Sequence, residues 1–222
     1  MSMGSGTAIK TGGSGSVASF TPPTVGEADE SNHRIANSLQ LVSAMLSSQG
    51  RELADPVARE ALERSVQRVA AIAGVHRQLH LSQSHGGVDV GVYLVDLIDG
   101  LQRSFSIDAQ HRHIGLEVPR TTVPPGFAAI IGVVVTELVI NACNHAYPPE
   151  QPGDVNVVMA TGPGRVFSLL VQDQGIGRRT DARSDGLGDR LLESMIRRLN
   201  ARGGYLTSGP GTTYSMTGLI PA

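Results

Sequence analysis

Three segments of the chain carry residues that could do chemistry together. The first reads Glu30-Ser31-Asn32-His33-Arg34-Ile35-Ala36-Asn37-Ser38-Leu39-Gln40, the second Glu137-Leu138-Val139-Ile140-Asn141-Ala142-Cys143-Asn144-His145, the third Asp173-Gln174-Gly175-Ile176-Gly177. A neutral imidazole has a free ring nitrogen, and an ordinary pKa of about 6.5 leaves an exposed histidine largely neutral near pH 7. His33 is therefore a usable nucleophile, but it can accept a phosphoryl group only where nucleotide is held nearby. Glu30, three residues earlier, shares its face on a helix and could take the ring proton or fix the tautomer. Taken alone, Glu30 is more simply an acid favoured in a first helical turn.

The later segments have the residue types a nucleotide site needs. Glu137 and Asn141 are four apart, so a helix places a carboxylate and a carboxamide on one face, where magnesium-bound phosphate could sit, and His145 continues that face. Asp173 ends an apolar run, and Gly175 and Gly177 let the backbone turn tightly and approach a flat ligand such as adenine. Asp185-Gly186-Leu187-Gly188 opens a helix, whose free amides and dipole make an anion site. Arg178 to Asp185 reads as a polar, arginine-rich loop. Any one of these motifs is common; their order is the stronger signal. His76 and His80 share a helical face without further ligands and make no zinc site.

The elements that must position these residues follow from periodicity. Ile35, Leu39, Val42 and Leu46 form one stripe of an amphipathic helix over about 28–49, widened by Leu41 and Met45. A turn follows, and Pro56 suits the first turn of a second helix to about Leu81, with Val57, Ala61, Val69, Ile72, Ala73 and Leu79 on its buried side. Two such helices cannot bury both faces alone, so a homodimeric four-helix bundle is expected. Beyond a polar break at 83–87 come a helix (90–105), a strand (113–118), a helix (124–147), strands at 155–160 and 166–172, a helix (187–200), and strands around Tyr205 and Tyr214. Without regular βαβ alternation this predicts an α+β fold, a sandwich of helices on one face of a mixed sheet. The expected organisation is a flexible Gly/Ser/Thr/Pro-rich tail over 1–26, a helical hairpin over 27–83 and a second domain over 88–222.

Composition sets bounds. The 222 residues are 40% hydrophobic, enough for a core in one or two domains, and the net charge of −2 gives no reason to expect nucleic acid or an anionic membrane as partner. The apolar run 127–140 is interrupted by Thr136 and Glu137 and falls short of a bilayer span of roughly 20 residues. No secretory signal is evident, and the lone Cys143 lies in an apolar run as a buried thiol would, so a cytoplasmic location is expected.

Taken in order, these segments resemble a sensor histidine kinase core, a dimerisation and histidine-phosphotransfer hairpin followed by a GHKL-type ATP-binding domain. The likeness covers residue 27 to the C-terminus. The box His33-Arg34-Ile35-Ala36-Asn37-Ser38-Leu39-Gln40 and the stretch Ala71 to Leu79 are similar to the HWE-related HisKA subgroup, while the absence of tryptophan sets the chain apart from true HWE kinases. The resemblance implies that Glu137, Asn141 and His145 form the N box, with Asn141 the Mg²⁺ ligand. By the same likeness Asp173, Gly175 and Gly177 form the adenine-side G1 box, Gly186 and Gly188 form G2, and Gly211-Thr212 is the closing element near adenine. It implies ATP and Mg²⁺, and phosphoryl transfer to His33 and then to an aspartate of a response-regulator receiver domain. Ala36 and Asn144 stand where the subgroup often has lysine, and Asp189 where it often has an apolar residue. No sensor domain is evident, so the signal comes from a separate sensor protein or the sequence is the core of a longer chain. Two rivals share the motifs: a histidine phosphotransferase with a degenerate nucleotide domain, and a GHKL ATPase or serine kinase in which His33 is incidental.

Overall fold

A computed structural model describes residues 25–81, 87–107, 112–148, 151–177, 187–206 and 210–222; at 25–33, 78–81, 104, 106, 107 and 187 it describes the backbone alone. The N-terminal part is a hairpin of α1 (Val25–Glu52) and α2 (Pro56–Leu81). Asp55 caps α2, its Oδ1 accepting from the Val57 amide at 2.9 Å, and Pro56 occupies a position where a missing N–H costs nothing. The three-residue connection makes the helices antiparallel neighbours.

The hairpin departs from the expected stripe in an instructive way. Leu39, Ser43, Leu46 and Gly50 turn inward with the buried Ala36, whereas Ile35, Leu41, Val42 and Met45 are exposed on the single chain. On α2, Val57 and Ala61 are exposed as well. The reason lies in the next layer. Glu60, Arg64 and Arg68, spaced by four, form the part-buried polar row of α2, and two of them bond residues of the long helix of the second part.

That second part begins with β1 (Val88–Asp89) and α3 (Val90–Ile107), capped by Asp89, whose Oδ1 accepts from the Gly91 and Val92 amides. It continues through β2 (Arg112–Glu117), β3 (Thr122–Val123), α4 (Pro125–His145), β4 (Gly153–Thr161), a 3₁₀ turn at Pro163–Arg165, β5 (Val166–Asp173), α5 (Leu187–Arg198), β6 (Arg202–Leu206) and β7 (Thr212–Leu219). The five-stranded sheet has the order β2-β4-β5-β7-β6, with β2 and β4 parallel and the other pairs antiparallel. Burial alternates along β4 and β5, so one face takes the helices and the other faces solvent. The chain thus joins an N-terminal helical region to a helix-covered mixed sheet. The two-residue pair β1–β3 was not expected, since two residues carry no periodicity.

α4 is the centre of the core. Among the described residues it is the one helix long and apolar enough to cross a membrane, yet 78% of its apolar window is buried by the fold itself. Tyr93 from α3 reaches past Gly132 of α4 and donates its hydroxyl to the Ala71 carbonyl of α2 at 2.9 Å, pinning three helices together. Cys143 is fully buried, and burial pushes its thiol up to about 12; burial likewise pushes the Tyr214 hydroxyl up to about 12 and that of Tyr93 up further. Groups raised in the folded state stabilise it below their unfolded pKa and lose that contribution as pH rises through the folded one. The unfolding free energy, and with it the urea midpoint, should therefore hold to about pH 9 and fall from there toward pH 12, the free energy by up to about 1.4 kcal/mol per pH unit for each group. A midpoint constant from pH 8 to 11 would contradict this.

Candidate nucleotide site

The later motifs converge along one edge of α4. At its middle, Glu137 is only 1% exposed although it sits among valines and leucines, and the half-buried Asn141 follows one turn later. Gly188, the second residue of α5, lies directly against them: a Cβ added there would be 3.0 Å from Glu137 Oε2 and 3.8 Å from Asn141 Nδ2. Any side chain would fill the space between the polar face of α4 and the N-terminus of α5. Gly186 lies outside the described residues. His145, another turn along, is exposed at the end of α4.

The second half of the site packs on the same helix end. The Ile176 amide donates to the Ala146 carbonyl at 2.8 Å, and a Cβ on Gly175 would run into that carbonyl. Asp173, 5% exposed at the end of β5, accepts through Oδ1 from the Gly175 amide at 3.0 Å and the Thr212 amide at 3.1 Å. One carboxylate oxygen thus joins the first glycine of the Asp-x-Gly-x-Gly turn to the start of β7, the register partner of Asp173. Gly177 and Gly211 both adopt positive φ, 78° and 84°, and a Cβ on Gly177 would be 3.3 Å from the Gly211 carbonyl. Only glycine takes these angles without strain.

Two residues that pattern reading missed hold this arrangement. Tyr147 accepts the Gln174 amide at 2.9 Å and donates to the Asp154 carbonyl at 2.7 Å, clamping the Gly-rich turn to β4. Arg112 is 4% exposed and spends its guanidinium on carbonyls at the end of α4: Cys143 at 3.0 Å, Pro148 at 3.2 Å, Tyr147 at 3.3 Å, and Gln151. It also stacks 5.2 Å from the Tyr147 ring centroid. A cation at a helix C-terminus meets the negative end of the dipole, so Arg112 satisfies carbonyls that α4 leaves open. Its acceptors lie 31 to 39 residues away, beyond any local sequence signal.

Glu137 has a further partner. Arg68 of α2 forks onto it, Nε donating to Oε1 and Nη2 to Oε2 at 2.7 Å. One turn toward the hairpin connection, Arg64 donates to Glu60 at 2.5 Å, and Glu60 accepts from Asn144 Nδ2 of α4 at 3.4 Å. His33 and Glu30 lie on α1, in its backbone-only stretch. His33 is 19 residues from the end of α1 and Arg68 is 12 from the start of α2, so at 1.5 Å per residue His33 lies about 10 Å farther from the connection.

Comparison with known proteins agrees with this architecture. Residues 30–105 match the family described as histidine kinase, and residues 109–211 match the histidine kinase-like ATPase domain. The chain belongs to the histidine kinases, as a HisKA-like catalytic core with a GHKL ATPase domain. It is 32% identical over 174 residues to the sensor histidine kinase PdtaS of Mycobacterium tuberculosis and 33% identical over 180 residues to that of Mycolicibacterium smegmatis, in each case over 75% of this chain and 34% of the relative. The chain spans about a third of the length of these relatives. The fold is that of the histidine kinase domain from the Erythrobacter litoralis EL346 blue-light activated histidine kinase, with a TM-score of 0.67 at 20% identity, covering 88% of this chain and 94% of that one.

Proposed function

We propose that the chain transfers the γ-phosphoryl group of ATP to its own His33 and then to an aspartate on a response-regulator receiver domain. The observation that carries this reading is the meeting of Gly188 of α5 with Glu137 and Asn141 of α4, with the Asp173–Gly175–Thr212 cluster packed at the C-terminal end of α4. The Asp173 carboxylate faces the adenine amine, and the backbone at Gly175 and Gly177 lies against its ring. Thr212 closes that pocket. Amides at Gly186 and Gly188 and the start of the α5 dipole receive the phosphates, with His145 at the rim.

The residues fit a hard cation. The Asn141 carboxamide oxygen is a hard donor, and it would hold Mg²⁺ together with phosphate oxygens of the nucleotide. Such an ion, when bound, neutralises charge on the transferring group. In the transfer a His33 ring nitrogen lone pair forms the N–P bond as the bond to the bridging oxygen of ADP breaks. The ring proton passes to a carboxylate, Glu137 or, locally, Glu30. Most of the rate enhancement comes from positioning.

The chain is proposed to divide into a hairpin over 27–83 and an ATP-binding domain over 88–222, and to work in the cytoplasm as a homodimer. The exposed stripe of Ile35, Leu41, Val42 and Met45 supports a four-helix bundle with a second copy, since those side chains gain burial there. A separate sensor protein or a further part of the same protein would supply the signal. A phosphotransferase with a degenerate nucleotide domain is less well supported, because the sequence keeps a carboxylate at Glu137, a carboxamide at Asn141 and glycines at 175, 177 and 188, the residue types a working site needs. Incubation with γ-labelled ATP and Mg²⁺ tests the proposal: label should appear on the chain, labile in acid and stable in base, and chase to a receiver domain. Tight ATP binding without label would overturn it.

A further inference from the structure

A cleft between α2 and α3 takes no part in the nucleotide site. It has a volume of about 140 Å³, and its floor is made of small residues, Ala70 and Gly74 from α2 and Gly100 from α3. Gly74 has a packing reason, since a Cβ there would be 3.1 Å from the Tyr93 ring. Gly100 has none: within 4 Å a Cβ there meets only the guanidinium tip of Arg103, at 4.0 Å. Glycine is unfavourable inside a helix, so a glycine that packs against nothing keeps space open instead of tightening the fold.

The cleft is cationic at both ends and apolar between. Arg77 Nη2 lies 3.8 Å from the Cβ position of Gly74, and Arg103 Nη2 lies 4.0 Å from that of Gly100, so each guanidinium folds back over the floor. Among the described residues, no hydrogen bond or ion pair holds either one. From Tyr93, which packs on Gly74, to Gly100 is seven residues of α3, so the two cations stand about 10 Å apart along the cleft. Leu97 and the Tyr93 ring line the wall between them, and the Tyr93 hydroxyl is already given to the Ala71 carbonyl. The exposed Asp96 stands on the rim of the same stretch.

We propose that this cleft binds a small two-ended organic anion, a short dicarboxylate whose carboxylates reach Arg77 and Arg103 and whose methylenes lie against Leu97 and the Tyr93 ring. Each guanidinium presents a planar fork of donors that matches a carboxylate. At about 10 Å the forks are too far apart for hydrogen bonds of about 3 Å to bring both onto one compact anion, whereas two linked carboxylates serve both. Two arginines and one aspartate leave the walls with a single net positive charge. That balance suits two singly charged ends better than the higher charge of two phosphate groups. The volume is below the range of about 300–1,000 Å³ that holds drug-sized ligands, which suits a molecule this small. None of these residues belongs to the nucleotide site, so the inference does not depend on the kinase reading.

Calorimetry on the whole chain, with glutarate as the probe, tests the site. Glutarate should bind with a Kd of about 1 mM or tighter, inorganic phosphate about tenfold or more weakly than that, and saturating ATP should not compete. Arg77→Ala and Arg103→Ala should each weaken glutarate binding about tenfold or more, through loss of one charge-assisted fork. Gly100→Leu blocks the cleft without straining the fold, because the space above Gly100 is open and leucine is the better helix former. It should abolish glutarate binding while ATP affinity and the thermal midpoint hold. No glutarate binding at about ten times that concentration would overturn the site. So would competition with ATP, equal affinity for phosphate, or binding that Gly100→Leu leaves untouched.

Discussion

A His33→Ala chain should bind Mg²⁺ and ATP as tightly as the wild type and take up no label at all. The separation of parts makes this the sharpest expectation available. His33 lies on α1, whereas Glu137, Asn141, Asp173, Gly188 and Thr212 lie on α4, β5, α5 and β7, so removing the imidazole leaves every proposed nucleotide contact in place. The complementary variant Asn141→Ala should fail for the opposite reason. It loses the carboxamide proposed to hold the cation, and with it on the order of a hundredfold or more of transfer rate, as removal of one charge-stabilising group typically does. Nucleotide affinity measured by calorimetry or a fluorescent analogue, set beside acid-labile label, separates the two. Should His33→Ala label as well as the wild type, the phosphoacceptor lies elsewhere and the GHKL hydrolase or serine-kinase alternatives take over. Equal loss of binding in both variants would mean that the imidazole belongs to the nucleotide site.

Much of this architecture was legible in the sequence, and the parts that were not share a physical cause. Periodicity located the helices and longer strands because each reports a repeat of 3.6 or 2 over many residues. Glu137, Asn141 and His145 could be placed on one face because a helix of known period links them. The Asp-x-Gly-x-Gly turn was readable because its glycines answer a local steric demand. What escaped was every polar contact between elements distant in sequence. Arg68 to Glu137 spans 69 positions and Arg112 to Gln151 spans 39, and no local pattern announces either. The row Glu60-Arg64-Arg68 reads as an ordinary solvated helix face until α4 is laid against it. The apolar stripe of α1 was mapped correctly as residues but only partly as contacts: Leu39 and Leu46 turn inward, while Ile35 and Val42 await a partner that one chain cannot supply.

Gly175→Ala should weaken ATP binding by about a hundredfold, equivalent to about 2.7 kcal/mol, through the backbone rather than through any lost side chain. The added methyl group would collide with the Ala146 carbonyl, which also accepts the Ile176 amide at 2.8 Å, so the Gly-rich turn must lift from the end of α4. Lifting it breaks that bond and pulls the Gly175 amide from Asp173 Oδ1, at present 3.0 Å away. Asp173 would then keep the Thr212 amide but lose one of the two amide contacts that fix its carboxylate in the proposed adenine pocket. Tyr147 and Arg112 resist relief from the other side, because the hydroxyl holds Gln174 to β4 and the guanidinium holds the end of α4 rigid. Overpacking of this kind costs about 1–3 kcal/mol in a well-packed site, and here nearly all of it falls on the nucleotide pocket. The thermal midpoint should therefore move far less without ATP than with it. Gly162→Ala is the control: a Cβ there meets nothing within 4 Å, so affinity and stability should both stay near wild type. Comparable losses at 162 and 175 would show that the pocket does not depend on the approach of the turn to α4.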